Sequence, residues 1–310
     1  MYATAQRLQD APPSIPDTIT PLRMKAPGTC GELMQGAIDE QDFLVNCPID
    51  LYSHATVHRD TRQRGLFLDD LHRYTKIRDT LELAAHEFAI RLCHRVAIRS
   101  DIPRGKGMAS SSADISAALE AVCRSAGLRL NPELFARLVT EVEPSDCVHF
   151  AGIAHVNHLT GRLFDAMPAP SDISVLVVDC GGEIDTIGFD RKRARALYRQ
   201  HQPCLKNALA TLKRGLHEGD AQAVADAATA SARLNQQIHV KPQFPELLAR
   251  ARELGALGVN CAHSGTVLGI MYRTSDRLGE RLAGDVERRF GAGTPIVGDY
   301  RIIAGGCHDC

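Results

Sequence analysis

The sequence lacks the features of a membrane or secreted protein. Nowhere do its 310 residues contain a run of about 20 apolar residues, the length that a membrane-spanning helix needs. Its first 22 residues hold Pro12, Pro13 and Pro16 and no apolar core, which argues against a secretory signal and predicts a flexible leader over 1–22. We therefore expect a cytoplasmic protein that binds no membrane.

The sequence also lacks an excess of charge of either sign. Lysine and arginine number 36 and aspartate and glutamate 37, so the formal net charge is −1. No global field would therefore attract the protein to nucleic acid or to an anionic surface. One local basic cluster is interpreted as the solvated face of a helix; it comprises Arg191, Lys192, Arg193 and Arg195.

Cysteine is plentiful, but paired cysteines are scarce. The ten cysteines are mostly solitary, and in the absence of a signal peptide we expect reduced thiols and no disulfide framework. The one CxxC pair, Cys307 and Cys310, has no second pair with which to complete a structural zinc site. We interpret this tail as having no special function.

No repeat or low-complexity block is present, and the length suits one large or two modest domains. Apolar spacing alternates irregularly between strand-like and helical patterns, which predicts two α+β layers and not a regular βαβ ladder. The predicted strands are 44–49, 53–58, 96–100, 173–179, 260–262, 268–272 and 300–303. The predicted helices are 78–92, 114–126, 132–142, 191–200, 205–218, 221–236 and 245–254, with Gly127 as a stop and Asn131 as an N-cap.

Residues 102–122 read IPRGKGMASSSADISAALEAV and resemble a nucleotide-binding loop, but both familiar fingerprints fail. A Walker A loop needs a glycine where Ser100 stands and a serine or threonine where Gly107 stands. A dinucleotide fingerprint needs a third glycine at Ser110.

The segment still favours an anion. Gly105 and Gly107 allow a ligand to approach the backbone, and the serines at 110–112 stand where a helix begins, at the positive end of its dipole. Lys106 adds a full charge. The alternative from this segment alone is a serine-capped helix after a glycine turn.

Two further motifs accompany this loop: KAPGTCGELMQG at 25–36 and AHSGTVLG at 262–269. In this order the three resemble the motifs of the GHMP kinases, the family of galactokinase, homoserine kinase and mevalonate kinase. Within that family the sequence is most similar to the L-threonine kinases of cobalamin biosynthesis. The segments that carry this similarity are CGELMQG, CPIDLYS, GMASSSADI, EPSD, AHSGTVLG and the terminal AGG.

The resemblance implies a two-domain α+β GHMP kinase fold. The ATP-binding domain would span 23–170 and resemble ribosomal protein S5 domain 2, and the C-terminal domain would span 171–310 and be ferredoxin-like. ATP would lie between them. The oligomeric state stays open, with a homodimer as one alternative. The residues expected to bind ATP are Pro103, Arg104, Gly105, Lys106, Gly107, Met108, Ala109, Ser110 and Ser112.

The family motif also implies a Mg²⁺ cofactor. The second of its paired serines, Ser111, would ligate the ion, together with a carboxylate from EVEPSD. Hydroxyl, carboxylate and phosphate oxygens suit this hard cation. Glu143 is favoured over Glu141, and the alternative is that both lie on an exposed helix end. Asp146 occupies the place of the family's catalytic aspartate and would act as the base; the alternative is a turn cap.

The acceptor site is assigned to the first and third motifs. Glu32 would hold an α-ammonium group, unless it only caps a loop. His263, Ser264 and Gly265 would meet a carboxylate or the moving phosphoryl group, and for His263 the alternative is a satisfied buried histidine.

The resemblance thus implies a kinase that phosphorylates the side-chain hydroxyl of free L-threonine, for the aminopropanol arm of cobalamin biosynthesis. Thr29 replaces the lysine of mevalonate kinase-like members, and Thr266 interrupts the usual Gly-x-Gly, which disfavours a galactokinase or mevalonate kinase. The alternatives are a kinase for another acceptor, homoserine-like or a sugar, and a non-catalytic nucleotide-binding regulator. The presence of both Ser111 and Asp146 favours catalysis.

Overall fold

One curled sheet runs through both halves of the chain. In this computed structural model, which describes residues 6–7, 21–181 and 191–310, eleven of the strands form that sheet. The strands are β1 (Gln6–Arg7), β2 (Leu22–Ile38), β3 (Gln41–Arg59), β4 (Gly65–Leu68), β5 (Cys93–Ser100), β6 (Leu128–Arg129), β7 (Ile153–Val156), β8 (Leu163–Met167), β9 (Ser174–Asp179), β10 (Gly258–Cys261), β11 (Val267–Tyr272), β12 (Ile296–Arg301) and β13 (His308–Asp309).

Eight α-helices occur among the described residues, and most of them pack against this sheet. They are α1 (Thr75–Phe88), α2 (Ser110–Ser125), α3 (Pro132–Val142), α4 (Arg191–Gln200), α5 (Gln202–Glu218), α6 (Ala221–Asn235), α7 (Phe244–Glu253) and α8 (Gly279–Phe290). None of them is both long and apolar enough to cross a membrane.

The strand order is β12-β9-β11-β10-β2-β3-β5-β4, so the strands of the second half continue those of the first. The junction is narrow: β10 meets β2 where Cys261 pairs with Glu32. Helix α2 packs on β2 and β3, and helix α6 packs on β10 and β2 beyond the junction. The alanines of α2 are almost wholly buried, and their small side chains let the helix lie close to the sheet. The junction therefore places the first and third motifs next to the start of α2.

Most of the sequence-based elements are confirmed. Asn131 caps α3, its side chain accepting the Leu134 N–H over 2.7 Å, and Gly127 follows α2 with a φ of +72°. The strand predicted at 173–179 appears as β9 and is buried throughout. All ten cysteines are free thiols. The α+β class is also as expected.

Several element boundaries differ from the prediction. The strands predicted at 44–49 and 53–58 form one strand, β3, because β2 pairs with it along nearly its whole length. Helix α1 ends at Phe88, since Ala89 turns into the left-handed region at a φ of 51°. Helix α8, which buries Leu282 and Val286, was not predicted.

The predicted domain limits stay a prediction. The limit between 170 and 171 falls in the connection between β8 and β9. Most of the predicted leader, 1–22, lies outside the described residues; within it, Gln6–Arg7 pairs with Leu128–Arg129.

Candidate active site

A cavity of about 450 Å³ opens beside Glu32, where β10 joins β2. It is lined by residues from the first and third motifs, from the start of α2, from the segment after α3 and from α4. Ten of the residues predicted from the sequence line it: Glu32, Gly107, Met108, Ala109, Ser110, Ser111, Ser112, Glu143, Asp146 and Ser264. The fold therefore brings most of the candidate site together.

The glycine loop ends in an uncapped helix N-terminus. Gly105, Gly107 and Ala109 have φ values of +70°, +79° and +56°, and this run of left-handed residues turns the chain into α2. No side chain caps the helix at Ala109. The N–H groups of the first turn, 110–112, have no partner within the helix. The helix start thus presents backbone donors and a positive dipole to an anion.

The first motif holds the loop from one side. The Thr29 N–H donates to the Met108 carbonyl over 3.0 Å, and the Gly31 N–H donates to the Gly107 carbonyl over 3.2 Å. Because these carbonyls are bound to β2, the loop is fixed to the sheet.

The third motif holds the loop from the other side. The Thr266 N–H donates to the Lys106 carbonyl over 3.0 Å. Gly107 lies against Gly265 so closely that a Cβ on Gly107 would lie 2.8 Å from the Gly265 Cα. The Lys106 ammonium pairs with Asp179 over 2.7 Å. Gly265 thus supports the loop, and the charge of Lys106 is already paired within the protein.

Arg104 also has protein partners. Its guanidinium donates to the buried carboxylate of Asp114 over 2.7 Å and lies over the Tyr74 ring at 4.9 Å. These three residues, with Gly105 and Ser110, line a second cavity of about 230 Å³, which shares Lys76, Ser110 and Ser111 with the first. Of the residues predicted to bind ATP, Pro103 and Lys106 line neither cavity.

The two residues predicted to ligate a metal are in contact. The Ser111 hydroxyl donates to one oxygen of Glu143, and the Lys76 ammonium donates to the other. Glu141 instead pairs with Arg137 on the same helix over 2.8 Å. The sequence favours Glu143 over Glu141, and the contact between Ser111 and Glu143 agrees with that choice.

The donor set fits Mg²⁺. Ser111 and Glu143 supply a hydroxyl and a carboxylate oxygen side by side, and Mg²⁺ commonly takes one or two such ligands while phosphate and water complete its octahedron. No group of three or more metal-binding histidine, cysteine, aspartate or glutamate side chains occurs in the described part of the chain.

Asp146 is held from two sides. The Ser112 hydroxyl donates to its carboxylate over 3.2 Å, and Asn46, which is fully buried, donates to its backbone carbonyl over 3.2 Å. Burial, and then the negative charge of Glu32, raise the pKa of Asp146 to about 7. Asp146 is therefore an oriented carboxyl group that changes protonation state near neutral pH.

Glu32 and His263 form a buried pair. Glu32 accepts the His263 backbone N–H over 2.8 Å and faces its Nδ1 at 2.9 Å, while the other ring nitrogen meets the Ser231 hydroxyl at 3.1 Å. The ring of His263 is thus engaged at both nitrogens and does not line the cavity, whereas Glu32 and Ser264 do.

Two residues near the site have no signal in the sequence. Lys76 and Asn46 lie outside the motifs, in elements whose approach to the loop no local pattern reveals. Arg195 lies on the solvated basic face of α4, as expected, with its side chain 51% exposed; it also lines the cavity beside Tyr198 and pairs with Asp42. No local sequence pattern distinguishes it from the other basic residues of this helix.

Comparison with known proteins identifies the family. Residues 75–153 match the family described as GHMP kinases N terminal domain, and residues 212–289 match GHMP kinases C terminal. The sequence is 30% identical to an L-threonine kinase of Citrobacter freundii, over 80% of this chain and 85% of that protein. It is 29% identical to an L-threonine kinase of Salmonella typhimurium, over 91% and 93% of the two chains.

Solved structures agree on the fold. A homoserine kinase from Cytophaga hutchinsonii superposes with a TM-score of 0.72 at 15% identity, over 96% of this chain and 99% of that one. A mevalonate kinase superposes with a TM-score of 0.66 at 13% identity, over 91% and 99%. The two-domain α+β architecture implied by the motifs is confirmed. With both family domains matched in order, the chain belongs to the GHMP kinase family and is a kinase.

Proposed function

We propose that this kinase uses Mg·ATP to phosphorylate the side-chain hydroxyl of free L-threonine, giving O-phospho-L-threonine and ADP. The observation that carries the proposal is one cavity in which the open start of α2, the Ser111–Glu143 pair and Asp146 come together. Two relatives of about 30% identity named L-threonine kinase support threonine as the acceptor. The product would then enter the aminopropanol arm of cobalamin biosynthesis.

The donor would lie across the loop. The N–H groups at the start of α2 would bind the phosphates, and the second cavity, beside Arg104 and Tyr74, is placed to take the nucleoside. Gly105 and Gly107 would let the phosphates approach the backbone. Ser111 and Glu143 would hold Mg²⁺, which neutralises phosphate charge when it is bound.

The transfer step needs a proton acceptor beside the threonine hydroxyl. The threonine oxygen would form a bond to the γ-phosphorus while the bond from that phosphorus to the β,γ-bridging oxygen breaks, leaving ADP. Asp146 would take the hydroxyl proton. A pKa of about 7 suits a base at neutral pH; Ser112 holds the carboxylate, and Asn46 holds the backbone carbonyl of the same residue.

The acceptor would be bound by its charged ends. Glu32 lines the cavity while His263 fixes its orientation, so we propose that Glu32 binds the α-ammonium group and that His263 acts through it. Since the His263 ring is engaged, Arg195 replaces it as the candidate partner of the carboxylate. Ser264 would contact the acceptor or the moving phosphoryl group, and Gly265 would hold the loop.

A homoserine-like acceptor is the main alternative, because a homoserine kinase shares the fold at a TM-score of 0.72. A non-catalytic regulator would have no need for Ser111, Glu143 and Asp146 in one cavity. ADP release should be measured with Mg·ATP and a panel of hydroxylated amino acids and sugars. L-Threonine should give the highest kcat/KM. ATP binding without turnover on any acceptor would support a regulator instead.

A further inference from the structure

The cavity contains more carboxylates than cations. Glu32, Asp42, Glu143 and Asp146 line it, and a phosphoryl group that enters brings further negative charge. Among the described residues that line it, the cationic side chains are Lys76 and Arg195. Because phosphoryl transfer depends on charge neutralisation, the site needs a cation where the donor meets the acceptor.

The lysine of the loop does not fill this role in the structure. The Lys106 ammonium pairs with Asp179 at the end of β9, over 2.7 Å, and the Lys106 carbonyl is bound to Thr266. Lys106 lines neither cavity. Its contacts join the loop to the second half of the chain.

Lys76 lies where the two cavities meet. It is the second residue of α1, and it lines both the 450 Å³ cavity and the 230 Å³ cavity. Its ammonium contacts the Glu143 oxygen that Ser111 leaves open. The side chain is 53% exposed, so it can change partner at little cost in packing.

We propose that Lys76 is a catalytic residue that contacts the phosphoryl group as it passes from ATP to the acceptor. This inference rests on the proposed function only in that ATP is the phosphoryl donor. A γ-phosphate at the junction would replace the Glu143 oxygen as the partner of the ammonium, and Glu143 would turn to the metal. The Lys76–Glu143 pair would thus keep both groups in place before the nucleotide binds.

A purely structural ion pair between α1 and Glu143 makes a different prediction, which nucleotide binding can test. A phosphoryl contact strengthens the binding of ATP over that of ADP, whereas a structural pair affects both nucleotides equally. The dissociation constants of Mg·ATP and Mg·ADP should be measured by calorimetry without any acceptor, for the wild type, Lys76→Met and Lys76→Arg. Lys206→Met is a matched control, because Lys206 is 47% exposed and pairs with Asp39 over 2.9 Å outside both cavities.

In Lys76→Met the preference for ATP over ADP should fall by about tenfold or more, the effect of losing one charge-assisted hydrogen bond. Lys76→Arg should keep most of the preference, and Lys206→Met should keep all of it. With the wild type's best acceptor, kcat of Lys76→Met should fall by roughly a hundredfold. The proposal would be overturned if a folded Lys76→Met protein kept the wild-type ratio of the two dissociation constants. It would also be overturned if Lys76→Arg lost as much of the preference for ATP over ADP as Lys76→Met does. Because the binding test uses no acceptor, it remains valid even if the wild type fails to phosphorylate threonine.

Discussion

Ser112 binds Asp146 in two ways: its hydroxyl donates to the Asp146 carboxylate over 3.2 Å and accepts the Asp146 backbone N–H over 3.3 Å. The serine belongs to the first turn of α2, the helix whose start is the candidate phosphate site. One helical turn therefore sets the relative positions of the candidate phosphate site and the candidate base, so a shift of the loop would move them together.

The variant Asp146→Asn distinguishes two roles of this residue, a catalytic base and a turn cap. If Asp146 removes the hydroxyl proton, the variant should lose about 10²- to 10⁴-fold in kcat while its KM for threonine and its thermal midpoint change little. An asparagine caps almost as well as an aspartate, so near-normal activity would show a capping role. Steady-state kinetics and thermal unfolding check this, with Asp165→Asn, at a surface ion pair with Lys213, as the control.

The raised pKa of Asp146 predicts how the activity depends on pH. Burial and the charge of Glu32 raise the pKa of Asp146 to about 7, and only the deprotonated form can accept a proton. The value of kcat/KM should therefore fall as pH drops through about 7, because that quantity reports groups of the free enzyme. Asp146→Asn should remove this limb of the profile. If the variant still shows the fall in kcat/KM at low pH, another group is responsible for it.

Ser111→Ala tests the metal ligand. Loss of one oxygen ligand should lower kcat by roughly 100-fold and raise the Mg²⁺ concentration needed for half-maximal rate, while the nucleotide still binds. A titration of the rate with Mg²⁺ at saturating ATP measures both effects. Ser275→Ala, at an exposed serine bonded to Asp172, should behave as the wild type. Unaltered Mg²⁺ dependence in Ser111→Ala would remove this serine from the metal site.

Gly107→Val tests the close contact between the loop and the third motif. A Cβ at Gly107 would lie 2.5 Å from the Ala262 Cβ. The residue also has a φ of +79°, a conformation that strains any residue with a side chain. The loop must then shift, and ATP binding should be lost. Gly127→Ala carries similar backbone strain, at a φ of +72°, with no neighbour within 4 Å, so it should lose only some stability. Calorimetric ATP binding that survives in Gly107→Val would show that the loop tolerates the shift.

Three histidines, two of them buried and one partly buried, should make the fold sensitive to acid. Burial lowers the pKa of His149 to about 3 and those of His94 and His155 to about 4. The unfolded chain, with histidine pKa values near 6.5, then binds more protons than the folded one. The free energy of unfolding should therefore fall as pH drops from about 6.5 toward 3. Urea unfolding at several pH values measures the slope, which His149→Phe should reduce; an equal slope in the variant would contradict the assignment.

The elements with local signals could be predicted from the sequence. Asn131 and Pro132 mark a helix start, Gly127 marks a helix end, and the loop glycines, Gly105 and Gly107, mark left-handed turns that lead into α2. These signals depend on the conformational preferences of a few adjacent residues, so tertiary contacts altered them little.

Contacts between distant segments could not be predicted. Lys106 pairs with Asp179, and Lys76 reaches Glu143, only because the sheet and α1 bring these segments together. The position of Lys106 in a glycine loop therefore suggested that it binds phosphate, whereas in the structure its ammonium pairs with the Asp179 carboxylate. The buried ring of His263 illustrates the same limit, since its partners Glu32 and Ser231 come from β2 and α6.

One competition experiment tests directly whether L-threonine is the acceptor of this kinase. The protein should be given equal concentrations of L-threonine and L-homoserine with limiting Mg·ATP, and the product should be examined by proton-coupled ³¹P NMR. Phosphate on the secondary carbon of threonine couples to one proton and gives a doublet, whereas phosphate on the primary carbon of homoserine couples to two and gives a triplet. We predict a dominant doublet. A dominant triplet, or inorganic phosphate alone, would contradict the account.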